Sequence, residues 1–187
     1  LMHLLHRQKT VLSFAGRNGP VQIEYAPKPA LILAGRGAIL RTTAQLAAHM
    51  DFELHLASPD LEDLARLEEL NPTTRQSMTS PSAAIDLAID AYSAVLLVFH
   101  DHEWEQAILM QVSQNNPFFI GALGSRKTHA MRVERLKQAG LSETQCAQIQ
   151  GPIGLVPSLR NASLIAVSAL AEITAKLPPF QVRLSSS

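Results

Sequence analysis

The apolar positions follow two patterns along the chain, which separate a short first segment from the rest. Residues 10–16 and 20–25 flank Asn18 and Gly19, a tight-turn signal because both residues tolerate positive φ. After two prolines, the run ALILAG at residues 30–35 is continuously apolar, as a parallel strand covered on both faces requires. We therefore predict an antiparallel β-hairpin within residues 1–28, followed by the first strand of a larger sheet.

The rest of the chain alternates apolar runs with segments of helical periodicity. Strands are predicted at 52–57, 94–99 and 118–121, and a short one is compatible with 75–78. Helices are predicted at 38–50, 61–70, 103–113, 125–139 and 161–176, and Ser142 is expected to cap a further short helix. This order predicts an α/β fold, a mostly parallel sheet with helices on both faces that binds ligands at the carboxyl ends of its strands. Residues 29–177 form this predicted domain, and 178–187 a flexible tail.

Composition narrows the classes of function. With 16 Lys plus Arg against 16 Asp plus Glu, the net charge is zero, so no large field of one sign indicates nucleic acid or an anionic membrane as partner. The single cysteine excludes a disulfide within this chain and any multi-cysteine metal site. Apolar runs are shorter than the roughly 18 residues of a membrane-spanning helix, and no signal-peptide pattern is visible. We expect a cytoplasmic protein.

Two glycines follow the first parallel strand. Gly35 and Gly37 lie where small residues allow a tight turn and let backbone amides approach a phosphate. Leu40 stands at the third glycine position of G-x-G-x-x-G and is expected to hold helix and strand further apart. A dinucleotide site places an acid after the next strand, whereas here Ser58 precedes the first acid, Asp60. NAD(P) binding and a turn kept for the fold alone both stay open.

The segment HDHE follows the strand at 94–99. His100 and His102 have the spacing of two metal ligands on an extended segment, or one of them serves as a general base oriented by an acid. Two histidines do not complete a zinc site. Asp101 has a simpler alternative as the N-cap of the following helix, where Glu103 would complement the helix dipole.

A second glycine-containing loop precedes a basic helix. Gly121 and Gly124 are followed by Ser125, a predicted N-cap, and by Arg126 and Lys127 in the first helical turn. Cations at a helix N-terminus interact unfavourably with the helix macrodipole, and a bound anion would offset this interaction. A phosphate or carboxylate site and a solvated basic helix face are both consistent with this pattern.

These stretches belong to longer motifs that occur in the order AGRGAILRTTAQLA, VFHDHEWEQAIL, FIGALGSRKTHAMRVERL, GPIGL and IAVSALAEI. Together they resemble the C-terminal Rossmann domain of the XdhC family, the accessory proteins of xanthine dehydrogenase and related molybdenum hydroxylases. The resemblance covers roughly residues 30–175. The chain departs from the family pattern at Ala38, which replaces a histidine, at Ser58 and Asp60, which replace an acid and an arginine, and at residues 157–164.

The resemblance implies a Rossmann-like, doubly wound fold and a cytoplasmic, non-catalytic protein, usually a homodimer. Such a protein binds molybdenum cofactor and assists its maturation or its insertion into a molybdenum hydroxylase apoenzyme such as xanthine dehydrogenase. By matching positions, the resemblance implies cofactor contacts from Gly35, Gly37, Arg41, His100, Asp101, His102, Gly121, Gly124, Ser125, Arg126, Lys127, Pro152 and Gly154.

Two other functions stay open. The glycines of the first turn favour an NAD(P)-dependent oxidoreductase, and the departures from the family pattern favour a scaffold that only binds a protein partner. Glu172, inside an apolar helix, is either an exposed acid or a partly buried partner of a basic residue. Trp104 is expected to pack near the histidine segment.

Overall fold

A computed structural model describes residues 7, 10–16, 19–82, 85–101 and 103–178. Strands β1 at Thr10–Gly16 and β2 at Gly19–Tyr25 pair antiparallel over their full length and form a two-stranded sheet of their own. This confirms the predicted hairpin. The predicted tail at 178–187 lies outside the described residues beyond residue 178.

The second sheet contains six parallel strands. They are β3 at Ala30–Gly35, β4 at Glu53–Ser58, β5 at Thr74–Ser77, β6 at Ser93–Val98, β7 at Phe119–Ala122 and β8 at Ile149–Gln150. Their spatial order is β5-β4-β3-β6-β7-β8, and each neighbouring pair is parallel. The chain builds outward from β3 to β5, returns to β6, and then builds outward on the other side. This is the doubly wound order of a Rossmann-like fold, with its switch point between β3 and β6.

Helices cover both faces of the sheet. They are α1 at Gly37–Ala47, α2 at Leu61–Arg66, α3 at Glu105–Val112, α4 at Arg126–Gln138, α5 at Glu143–Gln148 and α6 at Ala162–Ala175. Alternate residues of a strand point to opposite faces, so Leu31 and Leu33 of β3 join a core with α1 and α6. Ile32 belongs to the opposite core, with α3, α4 and α5. No helix in the described part of the chain combines the length and apolar character needed to cross a bilayer.

Polar side chains cap the starts of several helices, and the sequence predicts two of these caps, Ser125 and Ser142. The caps whose side chains accept backbone N–H groups are Asp60, Ser125, Ser142 and Asn161. At Ser142 the bond is reciprocated by the side chain of Gln145, which completes a capping box. Asp60, Ser125 and Asn161 follow β4, β7 and β8, so these three caps fix the paths of loops at the carboxyl ends of the strands.

The start of α3 differs from the prediction. The helix begins at Glu105, and its N-cap, Trp104, makes no side-chain cap bond. Asp101 is therefore not the helix N-cap. Its Oδ1 instead accepts the backbone N–H of Glu103 at 3.2 Å, in the turn before the helix. The extra turn separates the HDHE segment from the helix dipole.

Two further differences concern short elements, and a third observation concerns Leu40. The helix predicted at 61–70 divides into α2 and a 3₁₀ turn at Glu68–Leu70. Strand β8 has only two residues, too few to produce a recognisable period in the sequence. Leu40 is fully buried in the core between β3, α1 and α6, so its side chain fills the space beside the helix.

Candidate functional site

The loops after β3, β6, β7 and β8 meet at one edge of the sheet, because the carboxyl ends of parallel strands lie together. The predicted binding residues lie in or beside these loops. The loops differ in whether their polar groups already have partners within the protein, and this difference indicates where a ligand can bind.

The turn after β3 has the backbone that its two glycines allow. A Cβ on Gly35 would lie 2.5 Å from Cγ2 and 2.7 Å from the carbonyl oxygen of Val98, so only glycine lets β3 approach β6 this closely. Gly37 has φ of +80°, a left-handed conformation that side chains disfavour. Both glycines are thus explained by the path of the backbone.

The polar groups of this turn bind an acid of the protein itself. The N–H of Gly37 donates to Oδ2 of Asp63 at 2.5 Å, and the guanidinium of Arg41 pairs with Oδ1 of the same carboxylate. Asp63, on α2, is 1% exposed. Sequence reasoning did not identify Asp63, because nothing in LEDLARLEEL distinguishes this acid from its exposed neighbours.

The HDHE segment follows β6. His100 is exposed, and Asp101 accepts a hydrogen bond from Nη2 of Arg36 at 3.0 Å. This ion pair joins the turn after β3 to the loop after β6, across the switch point of the sheet. Trp104 stacks on Phe99 with ring centroids 6.4 Å apart, so it packs as predicted.

The metal hypothesis needs a third ligand. Across the part of the chain that the structure describes, no three His, Cys, Asp or Glu side chains form a group that could hold a metal ion. The hypothesis also needs His102, which lies outside the described residues. The described part of the segment therefore contributes an exposed imidazole and an ion-paired carboxylate to the edge of the sheet.

Helix α4 begins with two cations and no acid. Ser125 caps it by accepting the N–H of Thr128 at 3.1 Å, and Arg126 and Lys127 follow, both exposed. Within the described residues, neither cation forms an ion pair or hydrogen bond. The unfavourable interaction with the helix dipole is thus not offset by a described acid, and an anion bound at this position would relieve it.

A buried ion pair holds the loop that leads into α4. Arg132 donates from Nε and Nη2 to the two oxygens of Glu105 at 2.9 and 3.1 Å. Its Nη2 also donates to the backbone carbonyl of Leu123 at 2.6 Å. Because Arg132 lies on α4 and Glu105 on α3, the pair fixes the position of Leu123 relative to both helices.

His129 lies one turn before Arg132 on α4. Burial lowers the pKa of His129, and the nearby positive charge of Arg132 lowers that pKa further. A Cβ on Gly151 would collide with Nδ1 of His129, so the imidazole ring packs closely against the backbone after β8. The imidazole ring thus packs helix α4 against the segment that follows β8.

A cleft of about 930 Å³ opens between these two loops. This volume lies within the range of roughly 300–1,000 Å³ that is typical of small-molecule sites. Five of the predicted residues line the cleft, namely Gly124, Ser125, Arg126, Pro152 and Gly154. The other described members of the predicted set, Gly35, Gly37, Arg41, His100, Asp101, Gly121 and Lys127, do not line it.

Sequence reasoning missed Arg160, which lines the same cleft. Arg160 is exposed and, like Arg126, forms no ion pair or hydrogen bond within the described residues. The described lining contains no Asp, Glu, His, Cys or Lys. A cavity of about 210 Å³ at the opposite edge of the sheet has no cation in its described lining. An anionic ligand therefore fits the larger cleft better.

Helix α6 holds the far wall of the cleft. The N–H of Gly154 donates to Oε2 of Glu172 at 2.5 Å, and the N–H of Val156 donates to Oγ of Ser168 at 2.8 Å. Glu172 is therefore a partly buried acid that accepts a backbone N–H, and it forms no ion pair with a basic residue in the described part of the chain. The sequence feature that singles out Glu172 is its position inside an apolar helix.

A search with protein-family models identifies the family. The model of the XdhC Rossmann domain matches residues 31–173. The chain belongs to the XdhC family. This membership confirms the resemblance inferred from the motifs, and it agrees with the strand order observed.

Relatives of known sequence and structure agree with this assignment. The chain is 31% identical over 152 residues to the molybdenum cofactor insertion chaperone PaoD of Escherichia coli, covering 81% of this chain and 41% of PaoD. It is 29% identical over 174 residues to a probable xanthine dehydrogenase subunit from Bacillus subtilis, covering 92% and 48%. A crystal structure described as a xanthine dehydrogenase from Bacillus halodurans shares the fold, with a TM-score of 0.68 and 21% identity, over 83% of this chain and 44% of that one. The chain thus spans less than half the length of these proteins.

Proposed function

We propose that this chain holds molybdenum cofactor in the cleft between residues 123–126 and 152–160 and assists the insertion of that cofactor into a molybdenum hydroxylase such as xanthine dehydrogenase. The observation that carries the proposal is a pair of arginines without described partners, Arg126 and Arg160, in a cleft of small-molecule size. The pterin of the cofactor bears a phosphate, which guanidinium groups and helix N-termini bind. The cofactor is cargo here and not a resident group.

The donor set of the cleft fits such an anion. Ser125 and Ser158 add hydroxyl groups to the two guanidinium groups, and Leu155 and Val156 add apolar surface. General acid–base catalysis requires a titratable group near the reacting atoms. The described lining has no carboxylate, imidazole or thiol, which favours a protein that holds its ligand over one that transforms it.

The relatives support the role in cofactor insertion. The name of PaoD describes a molybdenum cofactor insertion chaperone, and this chain matches 41% of its length. The proposal includes a molybdenum hydroxylase apoenzyme as partner and, as the family resemblance implies, a homodimeric state and a cytoplasmic location. The contacts predicted for Gly35, Gly37, Arg41, His100, Asp101, His102, Gly121 and Lys127 stay predictions, and the proposal does not depend on them.

Delivery of the cofactor tests the proposed function. The chain, loaded with cofactor in the absence of oxygen, is mixed with a molybdenum hydroxylase apoenzyme made in cells that cannot synthesise the cofactor, and the recovered hydroxylase activity is followed. We expect faster recovery than with the same amount of free cofactor. Arg126→Ala and Arg160→Ala should each slow the recovery, because each removes a cation from the cleft.

A matched control distinguishes the cleft from general positive charge. Arg135→Ala removes an exposed cation from the same helix, at a position that does not line the cleft, and should leave delivery unchanged. If the wild-type chain recovers no more activity than free cofactor, the proposed role is wrong. If Arg135→Ala slows delivery as much as Arg126→Ala, the position of the site is wrong.

A further inference from the structure

We infer that Asp63 is a specificity-determining residue, whose carboxylate takes the place of a ligand phosphate in the turn after β3 and so excludes dinucleotides from it. One oxygen of Asp63 accepts the N–H of Gly37 at 2.5 Å, and the other pairs with Arg41. At 1% exposure, the carboxylate is covered by the surrounding protein. This inference does not rest on the proposed role in cofactor insertion.

The chemistry of the turn explains the exclusion. In a dinucleotide-binding fold of this strand order, the pyrophosphate accepts hydrogen bonds from backbone amides at the start of the first helix. Here the N–H of Gly37, the first residue of α1, already donates to an acid. A phosphate oxygen at the same N–H would have to displace that carboxylate or lie beside it, and two negative charges that close repel each other.

The loop after β4 positions this acid. The hydroxyl of Ser58 accepts the N–H of Asp60 at 3.1 Å, and Asp60 in turn caps α2 by accepting the N–H of Glu62 at 2.9 Å and that of Asp63 at 3.3 Å. A dinucleotide enzyme uses the end of this strand for the acid that binds the ribose. In this chain the same loop instead starts the short helix that directs Asp63 into the turn.

Arg41 completes the arrangement. A cation on α1 near the turn would otherwise attract an anionic ligand, but its guanidinium pairs with the buried carboxylate. The N–H of Gly37 and the positive charge of Arg41 are therefore both matched inside the protein. The arginines of the cleft, by contrast, have no described partner.

A change of charge at residue 63 tests the inference. Full-length chain labelled with ¹⁵N is titrated with NAD⁺, and separately with inorganic pyrophosphate, while the amide resonance of Gly37 is followed. In the wild type we expect no saturable shift at millimolar concentrations of either probe. In Asp63→Asn, which is nearly isosteric, we expect a saturable shift and an affinity at least about tenfold higher, because the opposing charge is gone.

Glu62→Gln is the matched control. It removes one negative charge from the same helix, at an exposed residue that pairs with Arg66, and should behave as the wild type does. Asp63→Ser serves as the second variant if the asparagine variant does not fold. A saturable shift of Gly37 in the wild type would overturn the inference, and so would the absence of a shift in a folded residue-63 variant. Either result leaves the delivery experiment unaffected.

Discussion

Replacing Glu105 with glutamine tests whether a buried ion pair maintains the wall of the cleft. The side chains of Arg132 and Glu105 are 4% and 2% exposed, and two hydrogen bonds of 2.9 and 3.1 Å join them. Glu105→Gln preserves the shape of the side chain but removes the carboxylate charge that faces the buried guanidinium. The guanidinium keeps its bond to the carbonyl of Leu123, which lies at the start of the cleft.

The expected loss follows from the burial of the charge. Removing one partner of a buried pair costs about 3–5 kcal/mol, because the remaining charge stays out of water without compensation. The glutamine carbonyl can still accept one hydrogen bond, so we expect the free energy of unfolding to fall by about 3 kcal/mol. For a domain of this size, that corresponds to a decrease in Tm of roughly 6–12 °C.

Urea unfolding followed by tryptophan fluorescence measures this loss, since Trp104 is the single tryptophan. The control is Glu68→Gln, which breaks the 2.7 Å ion pair between Glu68 and Arg75 on the surface. An exposed pair contributes less than about 1 kcal/mol. The reasoning is refuted if Glu105→Gln loses as little stability as Glu68→Gln.

Three more predictions concern the fold and the cleft. Burial, and next the charge of Arg7, lower the pKa of His55 from 6.5 to about 4. Between these two pH values the unfolded chain binds a proton at His55 that the folded chain does not bind, so the free energy of unfolding should fall as the pH decreases from 6.5 toward 4. Urea titrations at pH 7 and 5 should show a smaller dependence on pH in His55→Gln. Gly35→Ala should lower the thermal stability more than Gly37→Ala does. The Cβ of alanine at residue 35 would lie 2.7 Å from a backbone oxygen, whereas a Cβ at residue 37 would have open space and would cost only about 1–2 kcal/mol of backbone strain. Glu172→Gln should leave the fold intact but weaken cofactor retention on gel filtration, because a neutral acceptor binds the backbone of the cleft loop less strongly than a carboxylate does.

The parallel sheet and the helices that cover it follow from short-range patterns. A continuous apolar run such as residues 94–98 requires cover on both faces, and alternation with amphipathic segments then places helices there. Caps such as Ser125 and Ser142 are local signals, because the bonds they make span only three residues. This is why sequence reasoning identified the sheet, most helices and the loops at its carboxyl edge.

The charged residues that hold the loops at the carboxyl edge of the sheet contact partners far away in sequence, and no local sequence pattern indicates these contacts. Asp63 binds Gly37 from 26 residues away, and Arg132 binds Glu105 across 27. Each of these charged residues lies among other charged residues that are exposed, so only the folded chain distinguishes them. Arg160 was missed for the same reason, since its proximity to the loop after β7 is a consequence of the sheet order.

Native mass spectrometry tests the central claim most directly. The wild-type chain and the double variant Arg126→Ala, Arg160→Ala are each purified without oxygen from a host that makes molybdenum cofactor, and any released small molecule is identified. The claim predicts a molybdopterin species bound to the wild type and its loss from the double variant, with Arg135→Ala retaining it. A wild-type chain that carries no pterin even after incubation with excess cofactor would contradict the claim, and so would a double variant that binds cofactor as the wild type does.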